Sequence, residues 1–139
     1  MPEIRFSCIS ATTFSPTGAF DEQAFRRHLA RLVDARIGVY LGSGGTGEGH
    51  ALEPHELRRV YEIGVAECRG KVPVHAHLPE EASAAATRRQ MEIAVQADVD
   101  ILNVYPVEGR HGFRPTDREL DAYFDEVLVG AAKPVALAI

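Results

Sequence analysis

An α/β fold built on a parallel sheet is predicted for this chain from three observations. Five short β-compatible runs alternate with four stretches of helical apolar spacing, and no linker or low-complexity segment interrupts them. A glycine-rich turn, Gly44-Gly45-Thr46-Gly47-Glu48, follows the second run directly. Strands separated by helices of about ten to fifteen residues are joined as βαβ units, and such units make parallel sheets.

The elements follow in order. Phe6 to Thr13 reads as a strand that ends before the turn Ser15-Pro16-Thr17-Gly18. Asp21 is placed to cap a first helix, in which Phe25, Leu29, Leu32 and Val33 share one face. Ile37 to Leu41 is the second strand. A second helix starts at about Pro54, since proline suits a first turn, and buries Leu57, Val60, Tyr61, Gly64 and Cys68 before Gly70 stops it. Val72 to Leu78 is the third strand, and Ala84, Met91, Ala94 and Val95 mark the third helix. Asp100 to Tyr105 is the fourth strand. A longer connection, Pro106 to Pro115, leads to a helix carrying Leu120, Phe124, Val127, Leu128 and Ala131, and Val135 to Ile139 is the fifth strand. A parallel strand needs cover on both sides, so an apolar outer edge invites pairing with another chain.

Composition narrows the function. With 139 residues, 45% hydrophobic and 25% charged, the chain suits one globular domain, 1–139, with a single core. Net charge is −5 and the thirteen arginines are scattered among acids, which excludes a basic stripe for nucleic acid. Arg26-Arg27 and Arg88-Arg89 read as exposed helix faces with nothing to bind. Two cysteines, Cys8 and Cys68, make no disulfide framework and read as reduced, buried thiols of a cytoplasmic protein. No apolar stretch reaches membrane-spanning length, and the start lacks the basic-then-apolar pattern of a secretory signal.

The glycine turn carries the chemistry. Successive backbone N–H groups at the carboxyl end of a buried strand let a small anion approach the main chain. The amides of Gly45, Thr46 and Gly47 and the Thr46 hydroxyl are therefore candidate carboxylate or phosphate ligands, with Glu48 as an adjoining acid. His75 and His77 lie two apart on strand three and share a face, with His77 nearer the strand's carboxyl end. With Glu48 and His50 they admit a metal reading, but no second ligand pair completes a known pattern, so no metal is expected. Arg110, His111 and Arg114 lie in the long loop above the same end, where they are candidates for an anionic substrate tail.

From Thr12 to Ile139 the sequence resembles the dihydrodipicolinate synthase / N-acetylneuraminate lyase family. The resemblance rests on Thr12-Thr13-Phe14 with Gly18 and Asp21, on Gly44 to Glu48 against the family's Gly-Thr-Thr-Gly-Glu motif, and on Leu52 with Glu56-Leu57. Lys71-Val72-Pro73-Val74, Tyr105-Pro106 and Lys133-Pro134-Val135 resemble the family's strand approaches and ends. It covers nearly all of this chain but about the first half of a family member. What it implies is a (β/α)8 TIM-type barrel, present here as a partial barrel of about five strands, with its site at the carboxyl ends of the strands. It also implies pyruvate or another 2-oxo acid as the small-molecule ligand, held as a Schiff base on a sixth-strand lysine, with no cofactor.

Several positions depart from that pattern. The chain has two lysines, Lys71 and Lys133, each just before a strand and so at the amino-terminal face, opposite the chemistry. The Schiff-base lysine is thus expected to be missing, and this chain alone inactive. Gly45 replaces the motif's first threonine, Val107-Glu108-Gly109 stands where the synthase branch has a tyrosine pair, and Ala138 falls where a fifth-strand tyrosine is expected. Tyr105 becomes the candidate phenol for proton transfer. A divergent aldolase or hydratase-aldolase, forming a homo-oligomer, is the leading expectation. Two alternatives stand beside it. One is a doubly wound domain binding a phosphate-bearing ligand such as a flavin. The other is a non-catalytic half barrel that self-associates.

Overall fold

The structure, a computed structural model, describes residues 6–107, 109, 112 and 114–138. Its elements are β1 (Ser7–Ile9), α1 (Glu22–Asp34), β2 (Gly38–Leu41), α2 (Pro54–Cys68), β3 (Val74–His77), α3 (Ala84–Gln96), β4 (Ile101–Val104), α4 (Asp117–Leu128) and β5 (Val135–Leu137), with a 3-10 turn at Gly49–Ala51. All five strands are parallel and lie in chain order, β1-β2-β3-β4-β5. The helices pack neighbour to neighbour in the same order. This is the partial (β/α) barrel. A doubly wound sheet reverses its strand order at a switch point where the ligand binds. The sheet has no such reversal, which removes the basis for the flavin-type alternative.

Local chemistry sets the helix starts. Asp21 caps α1 by accepting from the Ala24 amide at 2.9 Å. Thr116 and Glu119 form a reciprocal box at the head of α4. Glu56 reaches back to the Glu53 amide at 2.9 Å, and Pro54 occupies the first turn of α2.

The register divides the sheet into two faces. Val39, Leu41, Val74, Ala76, Leu102 and Val104 are essentially inaccessible and meet the helices through Phe25, Leu29, Leu57, Val60 and Tyr61. The opposite face carries Tyr40 beside His75, and His77 beside Asn103, paired across strands. This face corresponds to a barrel's interior. The outer strands leave apolar side chains open, with Ile9 44% and Leu137 41% exposed.

Four sequence expectations are corrected. β1 is shorter than Phe6 to Thr13, because Thr12 Oγ1 is turned onto the Gly47 carbonyl and Phe14 bridges antiparallel to Phe20. Helix α4 ends at Leu128, so Ala131 lies beyond it. The arginine pairs are not idle. Arg26 pairs with Glu67 of α2, and Arg88 donates to the Glu126 and Val129 carbonyls at 2.8 and 3.0 Å, capping the end of α4. Cys68 is buried, and burial pushes its thiol up to about 11, whereas Cys8 is only half-buried. Among the described residues no helix is long and apolar enough to cross a membrane.

Tyr61 offers a stability test. Its hydroxyl is fully buried beneath Gly42 and has no hydrogen-bond partner among the described residues. An unsatisfied buried hydroxyl costs about 1–3 kcal/mol, and replacing it by an apolar atom recovers that cost. Tyr61→Phe is therefore expected to raise the unfolding free energy by about 1 kcal/mol. The urea midpoint reads it, and a lower midpoint contradicts it.

Candidate active site at the strand carboxyl ends

The glycine turn is held by its own hydrogen bonds in an order that decides which amides remain. Gly49 N–H donates to the Ser43 carbonyl at 2.7 Å, Glu48 N–H to the Gly45 carbonyl at 2.9 Å, and Gly47 N–H to Ser43 Oγ at 2.8 Å. Thr12 Oγ1 closes the turn from β1 by donating to the Gly47 carbonyl at 2.6 Å. Of the three amides expected to face an anion, that of Gly47 is thus committed inward. Those of Gly45 and Thr46 have no partner among the described residues, and both residues are exposed. Glu48 is exposed in left-handed backbone at φ 52°, at the entry to the 3-10 turn, where its side chain makes no cap. His50 Nδ1 contacts the Gly44 carbonyl and so belongs to the turn's own framework.

Beside this turn the interior face carries an aromatic ladder. Tyr40 lies 4.3 Å from His75 between ring centroids and 5.9 Å from His77. His77 stacks parallel on Tyr105 at 4.6 Å with 1° between planes. Both histidines are more than nine-tenths buried, and each Nδ1 lacks a partner among the described residues. Burial lowers the pKa of both imidazoles, partly opposed at His75 by Asn103 and Asp100 and at His77 by Glu80. Tyr105 is half-buried, and burial followed by the Glu80 and Tyr40 charges raises its phenol. The Tyr105 carbonyl accepts from Tyr123 at 3.1 Å, and Tyr123 in turn meets Thr87 Oγ1 at 2.8 Å.

The lowered imidazoles fix a pH dependence. A histidine whose folded pKa lies below its ordinary 6.5 stabilises the fold above that value and loses the contribution as pH falls toward the folded pKa. His28 adds to the same effect through burial and the neighbouring Arg31 charge. The carboxylates with lowered pKa, Glu22, Asp98 and Glu119, act only below their ordinary values of 4.5, 3.8 and 4.5. Thermal stability is therefore expected to decline already between neutrality and pH 5, and His75→Phe should flatten that decline. A flat melting profile over that range in the native sequence contradicts this.

The structure brings together Gly45, Thr46, Gly47, Glu48, His77 and Tyr105 at one end of the sheet, and leaves the two lysines at the other. Lys71 Nζ donates to the Glu67 carbonyl at 2.8 Å and lines a cavity at the amino-terminal ends of β3 and β4 with Arg36, Pro73 and Asp100. Lys133 pairs with Asp98, which also pairs with Arg69 at 2.7 Å. His111 and Arg110 lie outside the described residues; Arg114 is exposed. Among the described residues no three His, Cys, Asp or Glu side chains converge on a metal position. One residue of this neighbourhood was not singled out from the sequence. Glu80, after β3, folds back so that a Cβ at Gly44 would overlap Glu80 Oε2 and lie 3.5 Å from its Cδ.

The comparisons with known proteins converge. A family model described as "Dihydrodipicolinate synthetase family" matches residues 5–137. A probable 5-dehydro-4-deoxyglucarate dehydratase of Methylobacterium radiotolerans is 37% identical over 87 residues, covering 63% of this chain and 29% of that protein. The 4-hydroxy-tetrahydrodipicolinate synthase of Methanopyrus kandleri is 33% identical over 121 residues, covering 84% of this chain and 38% of that protein. A crystal structure of a dihydrodipicolinate synthase from Bacillus anthracis superposes with a TM-score of 0.86 at 20% identity, over 96% of this chain and 44% of that one, which establishes the shared fold. The chain thus spans well under half the length of these relatives.

Proposed function

The chain belongs to the dihydrodipicolinate synthetase family, and on that premise we propose that it supplies the carboxylate-binding half of a barrel lyase acting on a 2-oxo acid. The single observation that carries this reading is the pair of uncommitted amides, Gly45 and Thr46, at the carboxyl end of β2. Two adjacent, uncommitted N–H groups and the Thr46 hydroxyl match the two oxygens of a carboxylate in number, and such charge-assisted bonds are short and strong. Gly47 holds the turn's shape, Glu48 sets its exit, and His77 and Tyr105 face the carbon skeleton of the bound acid. Tyr105 is the proton-transfer group.

The trapping amine of the Schiff base is assigned outside residues 1–139, because Lys71 and Lys133 stand at the opposite end of the strands. Relatives named for a dehydratase and for a synthase make carbon–oxygen and carbon–carbon bond chemistry equally compatible with a bound 2-oxo acid. A homo-oligomer is part of the proposal, since exposed Ile9 and Leu137 favour cover from another chain, and sedimentation velocity reads it directly.

The test of the binding half is a titration of the isotopically labelled chain with pyruvate, followed by amide resonances. Gly45 and Thr46 are expected to move together and saturably while Gly47 stays with its intraturn bond. Movement confined to the opposite end, around Lys71, or none at these two amides, rejects the assignment.

A further inference from the structure

Tyr105, the proton-transfer group of the proposed site, sits one residue past the end of β4 and lacks the ladder bonds that hold a strand residue. The β4 carbonyls alternate between neighbours. Asn103 accepts from Leu78, after β3, at 3.2 Å, and Val104 from Ala138, after β5, at 3.0 Å. The Tyr105 carbonyl comes next, and no backbone amide among the described residues reaches it. Pro106 follows, and its nitrogen carries no hydrogen, so the next peptide offers no anchor either. What does reach the carbonyl is the Tyr123 hydroxyl of α4, at 3.1 Å.

Tyr123 and Thr87 are both buried, and their oxygens are 2.8 Å apart. Each hydroxyl has one hydrogen. Tyr123 directs its own to the Tyr105 carbonyl, so Thr87 is the donor to Tyr123, with the Ser83 carbonyl at 3.3 Å as its longer alternative. The chain of bonds therefore runs one way, from α3 through α4 to the end of β4. Its last acceptor is the main chain of the residue whose ring stacks on His77. We propose that Tyr123, backed by Thr87, is a positioning residue that holds the Tyr105 phenol over His77, a role that rests on the proposed 2-oxo acid site. Neither residue is placed to touch the ligand, since both belong to helices packed on the far side of the sheet from the His77 face. Misplacement of a reacting group by about 1 Å costs on the order of 10²-fold in rate, so an anchor for this one carbonyl has a direct chemical consequence.

The ring protons of His77 report the stack by NMR, because an aromatic face shifts the resonances above it upfield, and Tyr105→Leu sets the value without it. In Tyr123→Phe, which removes only the hydroxyl, the His77 shift is expected to fall to the Tyr105→Leu value. Thr87→Val should move it part of the way, while Thr87→Ser, which keeps the hydroxyl, retains the native shift. Val127→Ala, on the buried side of the same helix, is expected to lower the urea midpoint and leave the shift unchanged, which separates positioning from packing. With pyruvate added, the Tyr105 ring resonances of the native chain should move together with the Gly45 and Thr46 amides. In Tyr123→Phe the amides should move without the ring. A native His77 shift in Tyr123→Phe, or a shift lost equally in Val127→Ala, overturns the proposal and leaves the carboxylate turn standing. Gly45 and Thr46 amides that ignore pyruvate in the native chain overturn the turn itself, and the role of Tyr123 with it.

Discussion

Gly49→Ala is expected to cost the protein about 3 kcal/mol or more and to abolish ligand binding at the turn. A Cβ at this position would overlap the Gly42 carbonyl oxygen and lie 2.7 Å from its carbonyl carbon, with Pro79 on the far side. These are backbone atoms at the end of β2, so no rotamer change relieves the overlap. Either the 3-10 turn moves or β2 does. Moving the turn breaks the Gly49 to Ser43 bond and loosens the Gly47 to Ser43 and Thr12 to Gly47 bonds beside it. Overpacking of a close contact costs about 1–3 kcal/mol and each lost internal hydrogen bond about 0.5–1.5 kcal/mol, so the sum takes a large share of a typical stability of about 5–15 kcal/mol. Gly45→Ala is the control. Nothing lies within 4 Å of its Cβ, so its urea midpoint should match that of the native sequence. A Gly49→Ala midpoint equal to that of the control contradicts the argument.

The same turn shows how far the sequence could be read. The glycine run after an apolar strand located it, helical spacing with Asp21 and Pro54 located the first two helices that flank its sheet, and spacing alone located the other two. Local patterns are legible because each depends on residues within one or two turns of chain. Which amides stay uncommitted was not legible. That depends on Ser43 Oγ reaching Gly47 and on Thr12 arriving from 35 positions earlier. Glu80 was hidden for the same reason, since its approach to Gly44 is created by the pairing of β2 with β3. Tyr123 left a weak signal, four residues before Val127 on the buried side of α4, but its bonds to Thr87 and Tyr105 cross three elements. The length of β1 was overestimated because β-compatible residues continue past Ile9, while pairing stops where Thr12 and Phe14 find other partners.

Pyruvate with borohydride is expected to leave both Lys71 and Lys133 unmodified, an all-or-none outcome on a peptide map. A Schiff base begins with a neutral amine, which requires a desolvated or cation-lined setting that lowers the lysine pKa. Lys133 is ion-paired with Asp98, whose carboxyl is held below its ordinary range first by Lys133 and then by Arg69. Lys71 is exposed and donates to the Glu67 carbonyl in the last turn of α2. Position argues the same way as charge. Both amines precede their strands, and a four-residue strand at about 3.3 Å per residue puts roughly 13 Å between them and the Gly45–Thr46 amides. A carboxylate bound at that turn cannot bring its own carbonyl carbon, one bond away, within reach of either lysine. Reductive trapping on Lys71 or Lys133 at rates well above those of free lysine would therefore relocate the site to the amino-terminal face. A clean map at both positions, with the amide shifts of Gly45 and Thr46 intact, separates binding of the oxo acid from its covalent capture and assigns the first to these residues.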